Sequence, residues 1–141
     1  MRGGLGRDDF ERIETELETQ RLEVLADPLA IEQVIVNLVR NALEASAPHA
    51  GVVRIATERA DVGPCLRVED DGPGIAEGDL PRIFDPFFST RERTGGTGLG
   101  LSIVHGIVAE HGGSIDVESR LGAGTRFRVR LPADRTRSSS P

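Results

Sequence analysis

Val68-Glu69-Asp70-Asp71-Gly72-Pro73-Gly74-Ile75 reads as a strand that ends in a carboxylate and then turns through two alternating glycines. Leu66 and Val68 supply the alternating apolar positions of the strand. Asp, Gly and Pro are the residues that turns favour, so the same letters also spell a plain turn. The chemical alternative is a ligand site. Asp70 at the strand end would accept a hydrogen bond from an exocyclic amine such as that of adenine, and Gly72 and Gly74 would let the backbone approach a flat ring. The surrounding sequence has to decide between the two.

Upstream, Gly51–Arg59 alternates through Val53 and Ile55, and the short joint Ala60–Pro64 makes it a hairpin partner of Cys65–Glu69. Before that hairpin, Asp27-Pro28 is a sharp helix start, with Asp as N-cap and Pro at the first helical position. Ile31, Val34, Ile35, Leu38, Ala42 and Ala45 then follow the 3.6-residue period to about Ser46, and Pro48 stops the helix. Residues 12–26 suggest one or two short strands, and residues 1–11 a loose leader. Downstream, residues 76–97 lack steady periodicity and form a long loop with one short helix near Leu80–Ile83; a loop this long in a compact domain points to function or disorder. A second helix is expected from about Gly98 to Glu110, closed by Gly112-Gly113 as a C-cap. Ser114–Glu118 and Thr125–Leu131 are the last strands, and residues 133–141 a disordered tail. Strands on both sides of helices, with adjacent hairpins, give a two-layer α/β sandwich with a mixed sheet, packed on about three helices.

The 141 residues suit one domain with a real core. No apolar run reaches the roughly 18 residues that span a bilayer. The net charge of −6 argues against nonspecific nucleic-acid binding, which needs excess basic charge. A single cysteine, Cys65, closes no intramolecular disulfide, and a reducing compartment, the cytoplasm, is the expectation. All 17 basic residues are arginine. Without lysine there is no P-loop, no protein kinase of the eukaryotic type and no Schiff base. Phosphate recognition has to come from backbone N–H groups, arginine or a metal.

Three further stretches carry chemistry. On the first helix, Asn37 and Asn41 share a face, extended by Gln33 and Glu44. Asparagine is a poor helix former, so the pair is either a solvated face or a set of hard oxygen donors suited to Mg2+. Gly95-Gly96-Thr97-Gly98-Leu99-Gly100-Leu101 opens directly into the second helix, where exposed N–H groups and the helix dipole attract phosphate. The other reading is a flexible hinge. No strand precedes the run, so it is not a dinucleotide fingerprint. Ile83-Phe84-Asp85-Pro86-Phe87-Phe88-Ser89-Thr90-Arg91 holds three of the five Phe, either as core anchors or as a cover for a ligand. Arg91 and Arg93 are placed to reach a γ-phosphate or to stay solvated.

The order of these stretches is more specific than any one of them. Paired Asn, then Asp-x-Gly-x-Gly, then the Phe-rich run, then Gly-x-Gly-x-Gly, then Gly124-Thr125, resembles the catalytic and ATP-binding domain of bacterial histidine kinases, in the superfamily shared with gyrase and the heat-shock ninety chaperones. The resemblance spans about Leu17 to Pro132. Residues 37–42 look like the N box, 70–75 like the G1 box, 84–91 like the F box (with Arg91 where lysine is common) and 96–101 like the G2 box. It implies the Bergerat-type ATP-binding fold over residues 12–132, with residues 76–97 as an ATP lid. It also implies ATP and Mg2+ as ligands. Asn41 would bind the metal with Asn37 beside it. Asp70 would bind the adenine amine with Gly72, Gly74 and Ile75 around it. Thr97, Gly98, Leu99, Gly100 and Leu101 would meet the phosphates, and Thr125 would line the adenine pocket. Asn37, Asn41 and Arg91 are the candidate catalytic residues.

The implied partners are a phosphoacceptor histidine on a separate dimerisation domain and a response regulator receiver domain. The expected setting is the cytoplasm, or the cytoplasmic part of a membrane-bound sensor, with no membrane contact by this domain. His49, His105 and His111 read as structural or surface residues, so this domain is expected to autophosphorylate only with an acceptor supplied from outside. The alternatives are a stand-alone serine kinase of the anti-sigma type, a nucleotide-binding module without kinase activity, and a gyrase-type hydrolase. The last uses a Glu general base where this chain has Asn37, and an amide does not take a proton from water.

Overall fold

A computed structural model describes residues 13–16, 27–46, 52–60, 63–86, 88 and 100–132. The described elements are β1 (Ile13–Glu16), α1 (Pro28–Ser46), β2 (Val53–Ala60), β3 (Gly63–Asp70), a 3-10 helix (Glu77–Arg82), α2 (Gly100–Glu110), β4 (Ser114–Ser119) and β5 (Thr125–Arg130). The five strands form one sheet in the order β1-β2-β3-β5-β4. β1 runs parallel to β2 and every other pair is antiparallel. The sheet is therefore mixed, as the sequence predicts. The predicted leader, the tail, the second half of the 12–26 region and His49 lie outside the described residues.

Local chemistry starts α1. The Asp27 carboxylate accepts the Leu29 N–H at 3.0 Å, one of the donors a helix leaves open at its start, and the Asp27 carbonyl accepts the Ile31 N–H at 3.0 Å as the first bond of the helix ladder. Val34, Leu38, Val39, Ala42 and Leu43 form the buried stripe of the helix. They meet Val53, Val68, Phe127 and Val129 from the sheet and Val104 and Val108 from α2. α2 ends where expected. Gly112, at φ +75°, donates to Ala109 O at 3.0 Å, and Gly113 N–H donates to Val108 O at 2.9 Å, which is the glycine-type C-cap. His111 ties the two helices together. Its Nδ1 lies 2.8 Å from Ile107 O, and its Nε2 accepts the Asp27 N–H at 3.3 Å. His111 is thus structural, as read from the sequence. His105 is exposed on α2, its ring 5.2 Å from that of Phe84.

The other sheet face carries charge. Arg67 pairs with Glu58 at 3.0 Å and Glu69 at 2.8 Å, Arg126 with Glu69 at 3.0 Å and Glu118 at 3.3 Å, and Arg54 with Asp71 at 3.2 Å. Arg130 pairs with Asp116. Each exposed pair contributes little by itself, roughly 0–1 kcal/mol. Cys65 is buried beneath this layer, 2% exposed. Burial pushes its thiol up from the ordinary value, and nearby Glu58 adds to the effect. A raised thiol means that folding favours the protonated form. That contribution is complete below the ordinary thiol range and is lost as pH rises through the raised value. We expect Cys65 in the folded chain to resist iodoacetamide at neutral pH and to react at the ordinary rate in denaturant. Equal rates in both, followed by mass spectrometry, would contradict the burial.

Candidate nucleotide site

The site lies along one end of the sheet. The strand register places Val53 beside Asp70, Asp70 beside Thr125, and Thr125 beside Ser119, so four strands each contribute one residue to a single row. Side chains alternate between faces along a strand. The row therefore points the same way as Val68 and Phe127, toward the helices. Asp70 and Thr125 are its buried polar members, at 5% and 7% exposure. Asp71, the next residue, turns outward to Arg54, whose guanidinium is held more firmly protonated by that hydrogen bond.

A buried carboxylate needs partners. The Asp70 Oδ1 accepts the Gly72 N–H at 2.8 Å, which bends the chain off the strand end. The glycines that follow are there because of close backbone approach. A Cβ on Gly72 would lie 2.6 Å from Ala45 O of α1, and a Cβ on Gly74 would lie 2.1 Å from Arg120 O. Gly122 N–H donates to Pro73 O at 2.8 Å, so the β4–β5 turn holds the 70–75 segment from the side. Ile75 N–H donates to Ser119 Oγ at 2.7 Å.

α1 reaches this segment at Ala45, beside Gly72, and carries its polar stripe about one and two turns before that point. Asn37 and Asn41 are half-buried, between the exposed Gln33 and the half-buried Glu44. The Asn37 Oδ1 lies 3.7 Å from where a Cβ on Gly100 would sit, at the first residue of α2. The amide therefore faces a helix start, the place where N–H groups await an anion. Gly100 and Leu101 are described, both half-buried. Arg91, Thr97, Gly98 and Leu99 lie outside the described residues, as does Arg93. Of the Phe-rich run, Phe84 and Phe88 pack against the core. Phe84 makes an edge contact with Phe127 at 6.3 Å, and the Arg82 guanidinium sits 5.0 Å over the Phe88 ring. These two Phe are core anchors rather than covers. The short helix expected near Leu80–Ile83 is the 3-10 helix Glu77–Arg82, which starts three residues earlier and contains Pro81.

Sequence reasoning missed Ser119. The signal was present, since a hydroxyl stands at the inward position that follows Ile115 and Val117. Its meaning came only with the register.

Residues 26–135 match the family model described as histidine kinase-, DNA gyrase B- and HSP90-like ATPase. The chain belongs to this family. It is 44% identical over 115 residues to the sensor histidine kinase ZraS of Escherichia coli K12, which covers 82% of this chain and 24% of that protein. Among solved structures, the catalytic domain of the histidine kinase ThkA superposes with a TM-score of 0.74 at 40% identity, covering 86% of this chain and 80% of that one. Full-length ShkA, solved in complex with AMPPNP, gives a TM-score of 0.75 at 32% identity, covering 89% of this chain and 27% of that one. The chain spans about a quarter of the length of the curated relative named here. The described fold is the one found in the catalytic domain of ThkA. Among the described residues, no helix is long and apolar enough to cross a membrane.

Proposed function

We propose that the chain holds ATP with Mg2+ and presents the γ-phosphate to a histidine on a separate dimerisation domain, as the catalytic part of a two-component sensor kinase. The observation that carries this is the row Asp70–Thr125 at the sheet end together with the Asn37–Gly100 approach, the two linked by α1, whose Ala45 meets Gly72. One end matches an amino-purine, the other a phosphate chain. Asp70 would accept the adenine amine beside Gly72, Gly74 and Ile75. Thr125 would line the same pocket, and Gly100 and Leu101 would meet phosphate oxygens together with Thr97, Gly98 and Leu99.

The donors present fit Mg2+. Asn amide oxygens are hard ligands, and Mg2+ takes few protein groups alongside water and phosphate oxygens. Among the described residues there is no cluster of three His, Cys, Asp or Glu able to hold a metal by itself, so a cation here would depend on nucleotide oxygens. Asn41 would hold it with Asn37 adjacent, and it would supply charge neutralisation on the phosphates. Arg91 is our candidate for added charge at the γ-phosphate. Phosphoryl transfer then becomes mostly a matter of positioning. Asn37 stands where a hydrolase would need a carboxylate base, so the chain alone should bind ATP and turn it over negligibly. A response regulator receiver domain is the proposed final acceptor. The ATP supply and the single cysteine suit the cytoplasm. The stand-alone serine kinase finds no support among the relatives.

The test is radiolabelled ATP with a dimerisation domain from the parent kinase. Label should appear on its histidine, and only when this chain is added. Tight ATP binding with no label on the histidine would refute the kinase reading. In the same assay, Asn41→Ala should weaken Mg2+-dependent ATP binding by roughly 10-fold, the size of one lost contact to a charged group. Unchanged affinity would remove Asn41 from its role.

A further inference from the structure

Ser119 touches three groups at once, and those contacts fix where its single hydrogen goes. Ile75 N–H donates to its Oγ at 2.7 Å and occupies one lone pair. Gly124 O lies 3.0 Å away. A carbonyl oxygen only accepts, so the Ser119 hydrogen must point there. The third contact, Thr125 Oγ1 at 2.8 Å, is then left with one assignment. Ser119 has no hydrogen left to give, and Thr125 must donate to it. A hydroxyl carries one donor and two acceptor positions. Thr125 Oγ1 therefore shows only lone pairs to anything else that reaches it.

We propose that Ser119 is a specificity-determining residue: by consuming the Thr125 hydrogen, it makes the Asp70–Thr125 corner a pair of acceptors and so admits a purine with an amine at position 6 while disfavouring one with a carbonyl. The inference rests on the adenine reading above and assigns a residue that never needs to touch the ligand. Asp70 and Thr125 are cross-strand partners on one face, so a group accepted by the first lies beside the second. Against two acceptors, an amine has somewhere to place both hydrogens. A carbonyl oxygen there would meet a carboxylate and a hydroxyl that has already given away its hydrogen, and would itself find no hydrogen from either, which is costly among groups this buried. Were Thr125 free to rotate, its hydroxyl would offer that carbonyl a donor. The three contacts of Ser119 prevent the rotation. The same Oγ also pins the Ile75 amide, so the polarity of the corner and the position of the 70–75 segment have one cause.

The probe is inosine triphosphate, which carries a carbonyl oxygen where ATP has its amine. Dissociation constants for both nucleotides, measured by calorimetry on the whole chain with Mg2+, give a preference ratio. The unsubstituted chain should favour ATP by at least about 10-fold. Ser119→Ala frees the Thr125 hydroxyl, so inosine triphosphate should bind about threefold to 10-fold more tightly than before, with ATP changing less, and Ser119→Thr should restore the ratio. Tighter binding of one nucleotide is a result that mere loosening of the site does not produce. If Ser119→Ala weakens both nucleotides equally, or leaves the ratio unmoved, the inference is wrong. If Ser119→Ala gives no cooperative melt, Thr125→Val serves in its place. It removes the acceptor and should narrow the ratio, and an unchanged ratio overturns the proposal equally. A chain that binds no ATP at all sinks the adenine reading itself. A chain that binds ATP with no preference over inosine triphosphate sinks the amine contact at Asp70 as well, whereas a preference that Ser119→Ala leaves unmoved sinks only the role given to Ser119.

Discussion

Asp70→Ala is expected to remove measurable ATP binding, with a loss of roughly 100- to 10,000-fold, while the domain still folds. Two costs add in this variant. A hydrogen bond from the adenine amine to a carboxylate is worth about 1.5–3 kcal/mol, and an unpaired buried donor about 1–3 kcal/mol more. That donor is the Gly72 N–H, which reaches Asp70 Oδ1 at 2.8 Å and is aligned by it. Their sum, about 2.5–6 kcal/mol, corresponds to roughly 100- to 10,000-fold at about 1.4 kcal/mol per tenfold. Asp70→Asn separates the two, since its amide oxygen keeps the Gly72 contact and loses the charge, and it should fall between Ala and the natural residue. Asp71→Ala is the control. That carboxylate is exposed and pairs with Arg54 on the far face, so ATP affinity should hardly change. Calorimetric titration distinguishes the three variants. Equal losses for Asp70→Ala and Asp71→Ala would mean that general damage, and not the amine contact, is being measured.

The contrast between Asp70 and Ser119 shows what a sequence reader can see. Asp70 is legible because its cues are neighbours in the chain: an apolar alternation, a carboxylate at its end, two glycines after it. The α1 start is legible for the same reason, since the cap joins Asp27 to Leu29. Ser119 works through Ile75, 44 residues away, and His111 through Asp27, 84 residues away. No local propensity encodes such contacts; the first follows from β5 lying between β3 and β4, and the second from the end of α2 meeting the start of α1. Consecutive strands suggest hairpins, and both β2–β3 and β4–β5 are hairpins, but the β3–β5 pairing that joins them is a tertiary outcome. The Asn pair had two open readings because helix periodicity puts polar residues on a face without saying what the face meets. Gly100 beside Asn37 supplied that. Phe84 and Phe88 went the other way: composition left room for a cover over a ligand, and packing against Phe127 and Arg82 makes them anchors.

Gly124→Ala should be, with Gly74→Ala, among the most destabilising small substitutions at the described residues. Gly124 is buried at φ +82°, and a Cβ there would lie 2.1 Å from Asp70 O. The left-handed backbone costs an L-residue about 1–2 kcal/mol. The overlap adds about 1–3 kcal/mol, because its partner is not a flexible side-chain tip. It is the main chain of β3, hydrogen-bonded on both edges within the sheet. The total of about 2–5 kcal/mol is a large share of the roughly 5–15 kcal/mol by which domains are stable, and a fall in Tm of 10 °C or more is expected for a domain of this size. The damage falls where the function lies. To relieve the overlap, β5 must draw away from β3 at the pair Asp70–Thr125, and Ser119 loses the carbonyl at Gly124 that fixes its hydrogen. The residual folded population should therefore bind ATP weakly even at low temperature. Gly106→Ala gives the opposite sign. It sits in α2 with nothing within 4 Å of an added Cβ, so it should gain about 0.5–1 kcal/mol from reduced chain entropy. Differential scanning calorimetry of the two variants side by side decides the matter. If Gly124→Ala melts within a degree or two of the natural chain, the close approach of β5 to β3 at the site is wrong, and with it the geometry assigned to the adenine end.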